Sequence, residues 1–288
     1  MVCFFLMGYK GYQVLLDVIG KYGTEYIEAV ISEKDNNVLK DYYAEIRDLC
    51  AEHKIPHYNR KQNYAVQSPY SIAISWRWLI PTTNQLIIVH DSLLPQYRGF
   101  SPLVTALING DTVIGVTALF GNEDFDSGNI IYQSSVPVKY PVKIGDAIEK
   151  ISGCYVEVIR KVMKDVVEGN TLPSIIQSPH ATYSLWRDEK DYEIDWSRPA
   201  DYIKRFIDAV GFPYKGAHTS MNGQVIKILE AETAADLNIL NRTAGKVLQI
   251  KNGIPHVICG EGILKILKME DAQGKVYALP RTRIRFGA

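Results

Sequence analysis

The apolar run Leu86-Ile87-Ile88-Val89, which ends at His90, constrains the fold more than any other stretch of the sequence. A short apolar run between turn signals is typical of a strand buried on both faces of a sheet. Pro95 and Gly99 follow and break regular structure, so the residues after His90 are predicted to form a loop. Ligands of open α/β sheets bind outside the carboxyl ends of strands. The pattern therefore places His90 where chemistry is expected.

A carboxylate, Asp126, follows the next apolar strand pattern, which runs from Gly115 to Phe120. A histidine can take up a proton near neutral pH, and a buried carboxylate can fix its tautomer and stabilise the imidazolium. The pair therefore suits acid–base chemistry. An alternative interpretation, in which the histidine caps a strand end and the aspartate lies in a turn, stays open on the pattern alone.

The first residues predict the opening of an α/β unit. The apolar run from Val2 to Met7 is a predicted strand, and a helical pattern follows the loop Gly8-Tyr9-Lys10-Gly11. The two glycines do not make a dinucleotide fingerprint, and a tight turn would explain them. The functional alternative is that the backbone N–H groups and Lys10 meet an anionic substrate at the helix N-terminus.

The remaining pattern predicts an α/β domain over residues 1–178, a linker with a helix over 179–208, and a small β-rich domain over 209–288. The boundary is indicated by glycine, prolines and serines in the segment Glu168–Pro179. Beyond it, short strands are divided by turns such as Asn222-Gly223, a strong type I′ hairpin signal. Short strands divided in this way are typical of a small β-barrel.

The motif His90-x-Ser92-Leu93-Leu94-Pro95-x-x-x-Gly99 resembles the signature of the formyltransferases that use N10-formyltetrahydrofolate. In that family an aspartate follows in a loop that ends Asp-x-Gly, and Asp126-Ser127-Gly128 occupies the matching place at the family's own spacing. The resemblance implies an α/β fold with a Rossmann-like N-terminal formyltransferase domain and a smaller C-terminal β-barrel-like domain, as in methionyl-tRNA formyltransferase. It also implies formyl transfer to a primary amine.

The resemblance assigns His90 as the general base and Asp126 as the residue that orients it. It implies a folate co-substrate and no metal, and the sequence offers no cluster of metal ligands. Lys10 and its neighbours are candidates for the anionic part of the acceptor. The expected cofactor-binding residues are Arg77, Trp78, Leu79, Asn122, Glu123 and Asp124, and the expected substrate-binding residues are Gly8, Tyr9, Lys10 and Arg98.

Two positions depart from the family pattern. Ile88 stands where relatives have an asparagine thought to hold the formyl oxygen, and Asn84 would need a different geometry to replace it. The oxyanion would then depend on charged His90, a backbone N–H or an ordered water. Asp208 stands where relatives carry an arginine, which is expected to alter substrate contacts.

Three acceptor hypotheses follow from the resemblance. The segments 76–80, 90–99 and 194–217 look most like the sugar-nucleotide formyltransferases of lipopolysaccharide and other glycan biosynthesis, which favours a nucleotide-linked amino sugar. Initiator methionyl-tRNA is the second hypothesis, and a ligand-binding homologue that has lost catalysis is the third. The formal net charge is +0, and residues 209–288 carry 11 Lys and Arg against 6 Asp and Glu. This modest excess argues against nucleic acid as the partner.

Cysteine usage and the N-terminus predict a cytoplasmic protein with no membrane partner. Four widely spaced cysteines with no CxxC pair are typical of buried thiols in a reducing compartment. The apolar run at residues 2–7 is too short for a signal-peptide core or a membrane span. For the small domain, a homodimer interface is one open role.

Overall fold

The computed structural model describes residues 1–81 and 84–287. Its internal contacts divide the chain into two compact units. The first unit contains Met1–Leu103, Thr112–Val138 and Asp146–Trp186. The second contains Val104–Asp111, Lys139–Gly145 and the chain from Arg187 onward.

A seven-stranded sheet in the order β3-β2-β1-β4-β5-β7-β8 forms the centre of the first unit. The five strands from β3 to β5 are parallel, whereas β7 and β8 pair antiparallel, which confirms the predicted Rossmann-like α/β class. The elements up to Trp186 are, in chain order, β1 (Val2–Leu6), α1 (Gly8–Tyr22), β2 (Ile27–Ser32), α2 (Tyr43–Glu52), β3 (His57–Asn59), β4 (Tyr70–Ile74), β5 (Gln85–His90), β6 (Arg98–Gly99), α3 (Pro102–Asn109), β7 (Val113–Phe120), β8 (Ile130–Pro137), α4 (Ile144–Glu168) and β9 (Tyr183–Ser184).

The central strands are buried on both faces, as their apolar runs predict. Every residue of β1 is fully buried, and Ile87 and Val89 of β5 are buried as well. The order β2-β1-β4 reverses the direction of winding between β1 and β4, and ligands of such sheets bind at this switch point. His90 ends β5, the next strand along, so the fold brings it to the same edge.

The apolar pattern from Ser71 to Ile80 predicts one strand that runs into a loop at Pro81, but the observed strand is shorter. β4 ends at Ile74, because Ser75 has a φ of 54° and leaves the extended region. Residues 75–80 are therefore a loop at the carboxyl edge of the sheet. Trp76 and Ile80 of this loop turn back onto the apolar cluster that contains Phe5 and Ala73.

The second unit confirms the predicted β-rich domain. Its five strands form an antiparallel sheet in the order β10-β11-β14-β13-β12. The type I′ hairpin is present, since Asn222 and Gly223 both have positive φ, 50° and 77°. The elements are α5 (Ala200–Val210), β10 (Ala217–Met221), β11 (Gln224–Ala234), β12 (Val247–Lys251), β13 (Ile254–Ile258) and β14 (Ile263–Asp271).

The C-terminal segment closes this sheet toward a barrel. The Val247 N–H donates to the carbonyl of Ile284 at 3.0 Å, and the Gly287 N–H donates to the carbonyl of Ser220 at 2.8 Å. Val247 begins one edge strand, β12, and Ser220 lies in the other, β10. The segment thus links the two edges and leaves less unpaired backbone. Arg281, Arg283 and Arg285, expected to share a strand face, are all exposed but lie outside any regular strand.

Candidate active site

His90 is held at both ring nitrogens. Its side chain is 8% exposed, Nε2 lies 2.8 Å from the carbonyl oxygen of Tyr97, and Nδ1 lies 3.5 Å from Oδ2 of Asp126. A carbonyl oxygen can only accept a hydrogen bond, so Nε2 carries a hydrogen. Nδ1, which faces the carboxylate, is then the nitrogen at which the ring exchanges its second proton.

The Asp126 carboxylate is fixed by backbone groups. The Gly99 N–H donates to Oδ2 of Asp126 at 2.9 Å, and the Asp126 side chain is 13% exposed. A Cβ at Gly128 would lie 1.8 Å from the carbonyl oxygen of Phe120, so only glycine fits the last place of the Asp-x-Gly motif. The loop after β7 thus brings the Asp126 carboxylate to the end of β5, next to His90.

Buried hydrogen bonds also shape the loop after His90. The Thr117 hydroxyl donates to the carbonyl of Ser92 at 2.7 Å and accepts the Leu94 N–H at 3.0 Å. Nε2 of Gln133 donates to the carbonyl of Leu94 at 3.0 Å. The Ser92 hydroxyl donates to the carbonyl of Gln96 at 2.6 Å. These contacts give the Ser-Leu-Leu part of the motif a structural role.

Arg98, an expected substrate ligand, is engaged with Gln177. Its Nη2 and Nε donate to Oε1 of Gln177 at 2.8 and 3.1 Å. The Gln177 amide donates in turn to the carbonyls of Asp126 and Gly128, at 2.8 and 2.7 Å. The Arg98 guanidinium therefore supports the loop that carries the carboxylate. No local sequence pattern points to Gln177, which lies 51 residues beyond Asp126.

Gly8, Tyr9 and Lys10 form the first turn of α1, whereas the sequence pattern predicted a loop there with the helix after it. Gly8 has a φ of 66°, and the first turn of the helix contains no acidic residue. The Tyr9 ring lies 5.2 Å from the ring of Tyr42. Lys10 is 11% exposed at its side chain, and its Nζ lies 2.5 Å from Oδ2 of Asp91. The Lys10 ammonium is thus already paired with a carboxylate.

Asp91 is the main residue that the sequence reading missed, because the family motif leaves its position open. Its Oδ1 accepts the Tyr155 hydroxyl at 2.5 Å, on the other side from Lys10. Burial raises the pKa of the Asp91 carboxyl, but the Lys10 ammonium and the two hydrogen bonds more than offset this effect, so the pKa lies below its usual range. Asp91 is therefore an ionised carboxylate directly beside His90.

A cleft of about 570 Å³ opens on the first unit beside β5. Leu86, Ile88 and His90 alternate along β5 and share one face. Leu86 and Ile88 are half-buried, whereas Ile87 and Val89 on the opposite face are buried. The cleft lies at the start of this face, and His90 lies at its other end. The residues that line the cleft are Ile80, Asn84, Gln85, Leu86, Phe120, Gly121, Asn122 and Glu123.

The expected cofactor residues divide between two loops. In the loop after β4, Nη2 of Arg77 lies 2.5 Å from Oδ2 of Asp35, the Trp78 ring lies 4.5 Å from the Arg60 guanidinium, and Leu79 is 99% exposed. Arg77 and Trp78 thus contact other side chains of the protein, whereas the Leu79 side chain faces solvent.

The second loop follows β7. Asn122 and Glu123 line the cleft, and the side-chain amide of Asn122 is hydrogen-bonded to the Ser127 hydroxyl at 2.7 Å. That hydroxyl also lies 3.5 Å from the carbonyl of Asp124. The loop that ends in the Asp-x-Gly motif is therefore closed on itself and joins the cleft to Asp126.

The next two statements, on metal ligands and on membrane-spanning helices, apply only to the part of the chain that the structure describes. Within it, no three histidine, cysteine or carboxylate side chains lie together in a way that could hold a metal ion. No described helix combines the length and the apolar character that crossing a bilayer requires.

These distances place a histidine, backed by a carboxylate, at the carboxyl edge of an open α/β sheet, the edge at which ligands of such sheets bind. Comparison with known protein families identifies the family of this chain. The family model described as formyl transferase matches residues 29–162, and the model described as formyl transferase, C-terminal domain, matches residues 187–281. The chain belongs to the formyl transferase family.

Individual relatives extend this result. Methionyl-tRNA formyltransferase of Syntrophomonas wolfei is 30% identical over 211 residues, which cover 71% of this chain and 66% of that protein. The N-formyltransferase of Helicobacter canadensis, solved with folinic acid and dTDP-3-aminofucose, superposes with a TM-score of 0.71 at 15% identity and covers 96% of this chain and 99% of that one. Methionyl-tRNA formyltransferase of Clostridium thermocellum superposes with a TM-score of 0.55 at 15% identity, over 81% and 92%.

The sequence matches to the curated relatives cover only part of those proteins. The chain spans between 58% and 66% of the length of the first curated relatives it matches, all of them methionyl-tRNA formyltransferases. At 15% identity, the structural likenesses establish the fold and no more. The acceptor is therefore a separate question from the family.

Proposed function

We propose that this chain transfers the formyl group of N10-formyltetrahydrofolate to the primary amine of a nucleotide-linked amino sugar. The observation that carries the proposal is the pairing of His90 with Asp126 at the carboxyl edge of the sheet. An acid–base pair suits a reaction in which an amine must lose a proton as it attacks a carbonyl carbon.

The cleft fits a flat co-substrate. Its volume of about 570 Å³ lies within the usual range for small-molecule sites, and it is lined by apolar residues, three amide side chains and the Glu123 carboxylate. The Ser75 hydroxyl and the Trp76 indole N–H, in the neighbouring loop, are buried atoms without a hydrogen-bond partner among the described residues. Buried polar groups normally have partners, so we assign them to the polar edge of a bound ligand.

His90 would act through Nδ1. When the amine nitrogen bonds to the formyl carbon, Nδ1 takes the proton that this nitrogen loses, while Nε2 keeps its hydrogen on the Tyr97 carbonyl. Asp126, 3.5 Å from Nδ1, stabilises the imidazolium that forms. The same proton can then return to the folate nitrogen whose bond to the formyl carbon breaks, so the step balances without a metal or an oxidant.

The tetrahedral oxyanion has fewer donors than in relatives with the asparagine. Ile88 presents only hydrocarbon at that place, packed against Leu94, Leu119 and Ile130. The oxyanion would then depend on the positive charge of protonated His90, with a backbone N–H or a water as the hydrogen-bond donor. We expect an enzyme with isoleucine at position 88 to be slower than relatives with the asparagine, but to catalyse the same reaction.

The sugar-nucleotide acceptor is supported by the fold comparison and by charge. The structure superposes on the Helicobacter canadensis enzyme with a TM-score of 0.71 and on the Clostridium thermocellum methionyl-tRNA formyltransferase with one of 0.55. The sequence has 32 basic and 32 acidic residues. A protein that grips tRNA needs a surplus of lysine and arginine, because neutralising phosphates dominates its affinity.

The second candidate is a methionyl-tRNA formyltransferase, because the matched curated relatives carry that name. The deciding experiment offers the purified protein formyltetrahydrofolate with each of two acceptors, a set of amino-sugar nucleotides or initiator methionyl-tRNA. Formylated product is read by mass spectrometry. Formyl transfer to at least one amino-sugar nucleotide supports the proposal. Transfer to the tRNA alone selects the second candidate, and ligand binding without product selects a homologue that has lost catalysis.

A further inference from the structure

Lys10, Asp91 and Tyr155 come from three separate parts of the first unit and meet at the Asp91 carboxylate, whose side chain is 20% exposed. Lys10 lies in the first turn of α1, Asp91 directly follows β5, and Tyr155 lies in α4 and is 1% exposed. Asp91 binds the Lys10 ammonium through Oδ2 and the Tyr155 hydroxyl through Oδ1, each at 2.5 Å. We propose that this triad is a positioning device for His90, and that Lys10 serves the device instead of binding substrate.

The geometry of Tyr155 gives the first reason. Its hydroxyl donates to the Asp91 carboxylate and also lies 3.2 Å from the carbonyl of Val89. Val89 and Asp91 are the residues on either side of His90. One phenol therefore ties the chain on both sides of the catalytic histidine to helix α4, which fixes where the imidazole leaves the strand.

The charges give the second reason. Asp91 has two partners, one of them cationic, and both are largely removed from water, so the Lys10 charge is already neutralised. If Lys10 bound a phosphate instead, the largely buried Asp91 carboxylate would lose its cation, which is unfavourable. Lys10 is thus poorly placed to donate its charge to an anionic acceptor. The first turn of α1 would have to bind such an acceptor without it.

The triad rests on the proposed role of His90, so its test uses one readout that does not depend on formyl transfer. Lys10→Met, Asp91→Asn and the double variant are compared by kcat, by acceptor KM, by thermal melting and by the ¹⁵N NMR signals of the His90 ring. Tyr155→Phe, which keeps the ring and removes only the hydroxyl, is the most conservative member of the series.

We expect each single variant to lower kcat by about tenfold to 10²-fold, the scale of a misplaced catalytic group, with acceptor KM within about twofold of the parent. The His90 ring signals should shift or broaden in the same variants. Removing both charges leaves no unpaired ion, so the double variant should recover much of the melting temperature lost by either single variant. Tyr155→Phe should lower kcat without unfolding the protein.

The ion pair between Arg160 and Asp17 supplies a matched control. It joins the same two helices, α4 and α1, with Nη2 of Arg160 2.5 Å from Oδ1 of Asp17, but it does not touch β5. Arg160→Met should leave kcat and the His90 signals unchanged. If it changes them as Asp91→Asn does, the effect comes from holding the helices together, and the positioning proposal fails.

Two other results would overturn the proposal. A Lys10→Met variant with raised acceptor KM and unchanged kcat would make Lys10 a substrate ligand. Unchanged His90 signals and unchanged kcat in Tyr155→Phe would show that the hydroxyl positions nothing. If no variant and no parent protein transfers formyl groups, the proposed function fails, while the NMR comparison still decides whether the triad holds the histidine.

Discussion

At the scale of single residues, the account depends on His90, Asp126 and the unusual Ile88. The imidazole is nearly buried between the carbonyl oxygen of Tyr97 and the carboxylate of Asp126. This environment suits a group that accepts one proton and then shares the positive charge with the transition state. A separate prediction follows for a substitution at each of the three residues.

His90→Asn and His90→Ala are expected to lower formyl transfer by about 10²-fold or more, because general acid–base catalysis by a positioned side chain contributes on that scale. The measurement is kcat in an assay coupled to formyltetrahydrofolate consumption. His57→Gln is a suitable control, since His57 is hydrogen-bonded to Ser32 at 2.7 Å near the edge of the sheet. Near-normal turnover of either His90 variant would remove the histidine from the mechanism.

Asp126→Asn should lower kcat while the melting temperature changes little. The amide keeps the shape of the side chain and can still accept the Gly99 N–H, but it removes the charge that stabilises the imidazolium. Activity and melting curves are measured on the same preparation. A large fall in melting temperature with unchanged specific activity would make Asp126 a structural residue.

Ile88→Asn should leave kcat unchanged or raise it modestly, because it returns an amide donor to the face of β5 that leads to His90. The cost is lost packing against Leu94, Leu119 and Ile130, so the variant should melt at a lower temperature. Ile88→Val is the control for packing alone. An Ile88→Asn variant that folds but loses turnover would show that this site works only with a hydrophobe.

At the scale of elements, the loop between β7 and β8 carries the carboxylate, and Gln177 holds that loop from outside. Gln177→Ala would leave two carbonyls and the Arg98 guanidinium without their partner. We expect kcat to fall more than the melting temperature does, because the loss falls on the position of Asp126. An effect on melting alone, with kcat preserved, would contradict the link between Gln177 and the site.

The elements also show how far the sequence could predict this molecule. The apolar runs located β1 and β5, and Pro95 and Gly99 located the loop after His90, because these signals are local. The Lys10–Asp91 pair joins residues 81 positions apart, and no local pattern encodes such a contact. The early end of β4 was missed, because Ser75 takes a positive φ that serine does not signal.

At the scale of the whole molecule, two features limit the acceptor. The acidic and basic residues balance, and the second unit is a small sheet closed by its own C-terminal segment. An initiator tRNA would need many phosphate contacts, and its binding would fall steeply with salt. We expect any tRNA binding to be weak at about physiological salt. Tight and steeply salt-dependent binding in a filter or polarisation assay would contradict this expectation.

The most direct test is a single turnover experiment with ¹³C-labelled formyltetrahydrofolate, an amino-sugar nucleotide and either the parent protein or His90→Asn. The account predicts that the label appears as a formamide on the sugar amine with the parent protein. It also predicts that the rate falls by about 10²-fold with the variant. Label found on no amino-sugar nucleotide but on methionyl-tRNA, or equal rates for the two proteins, would contradict it.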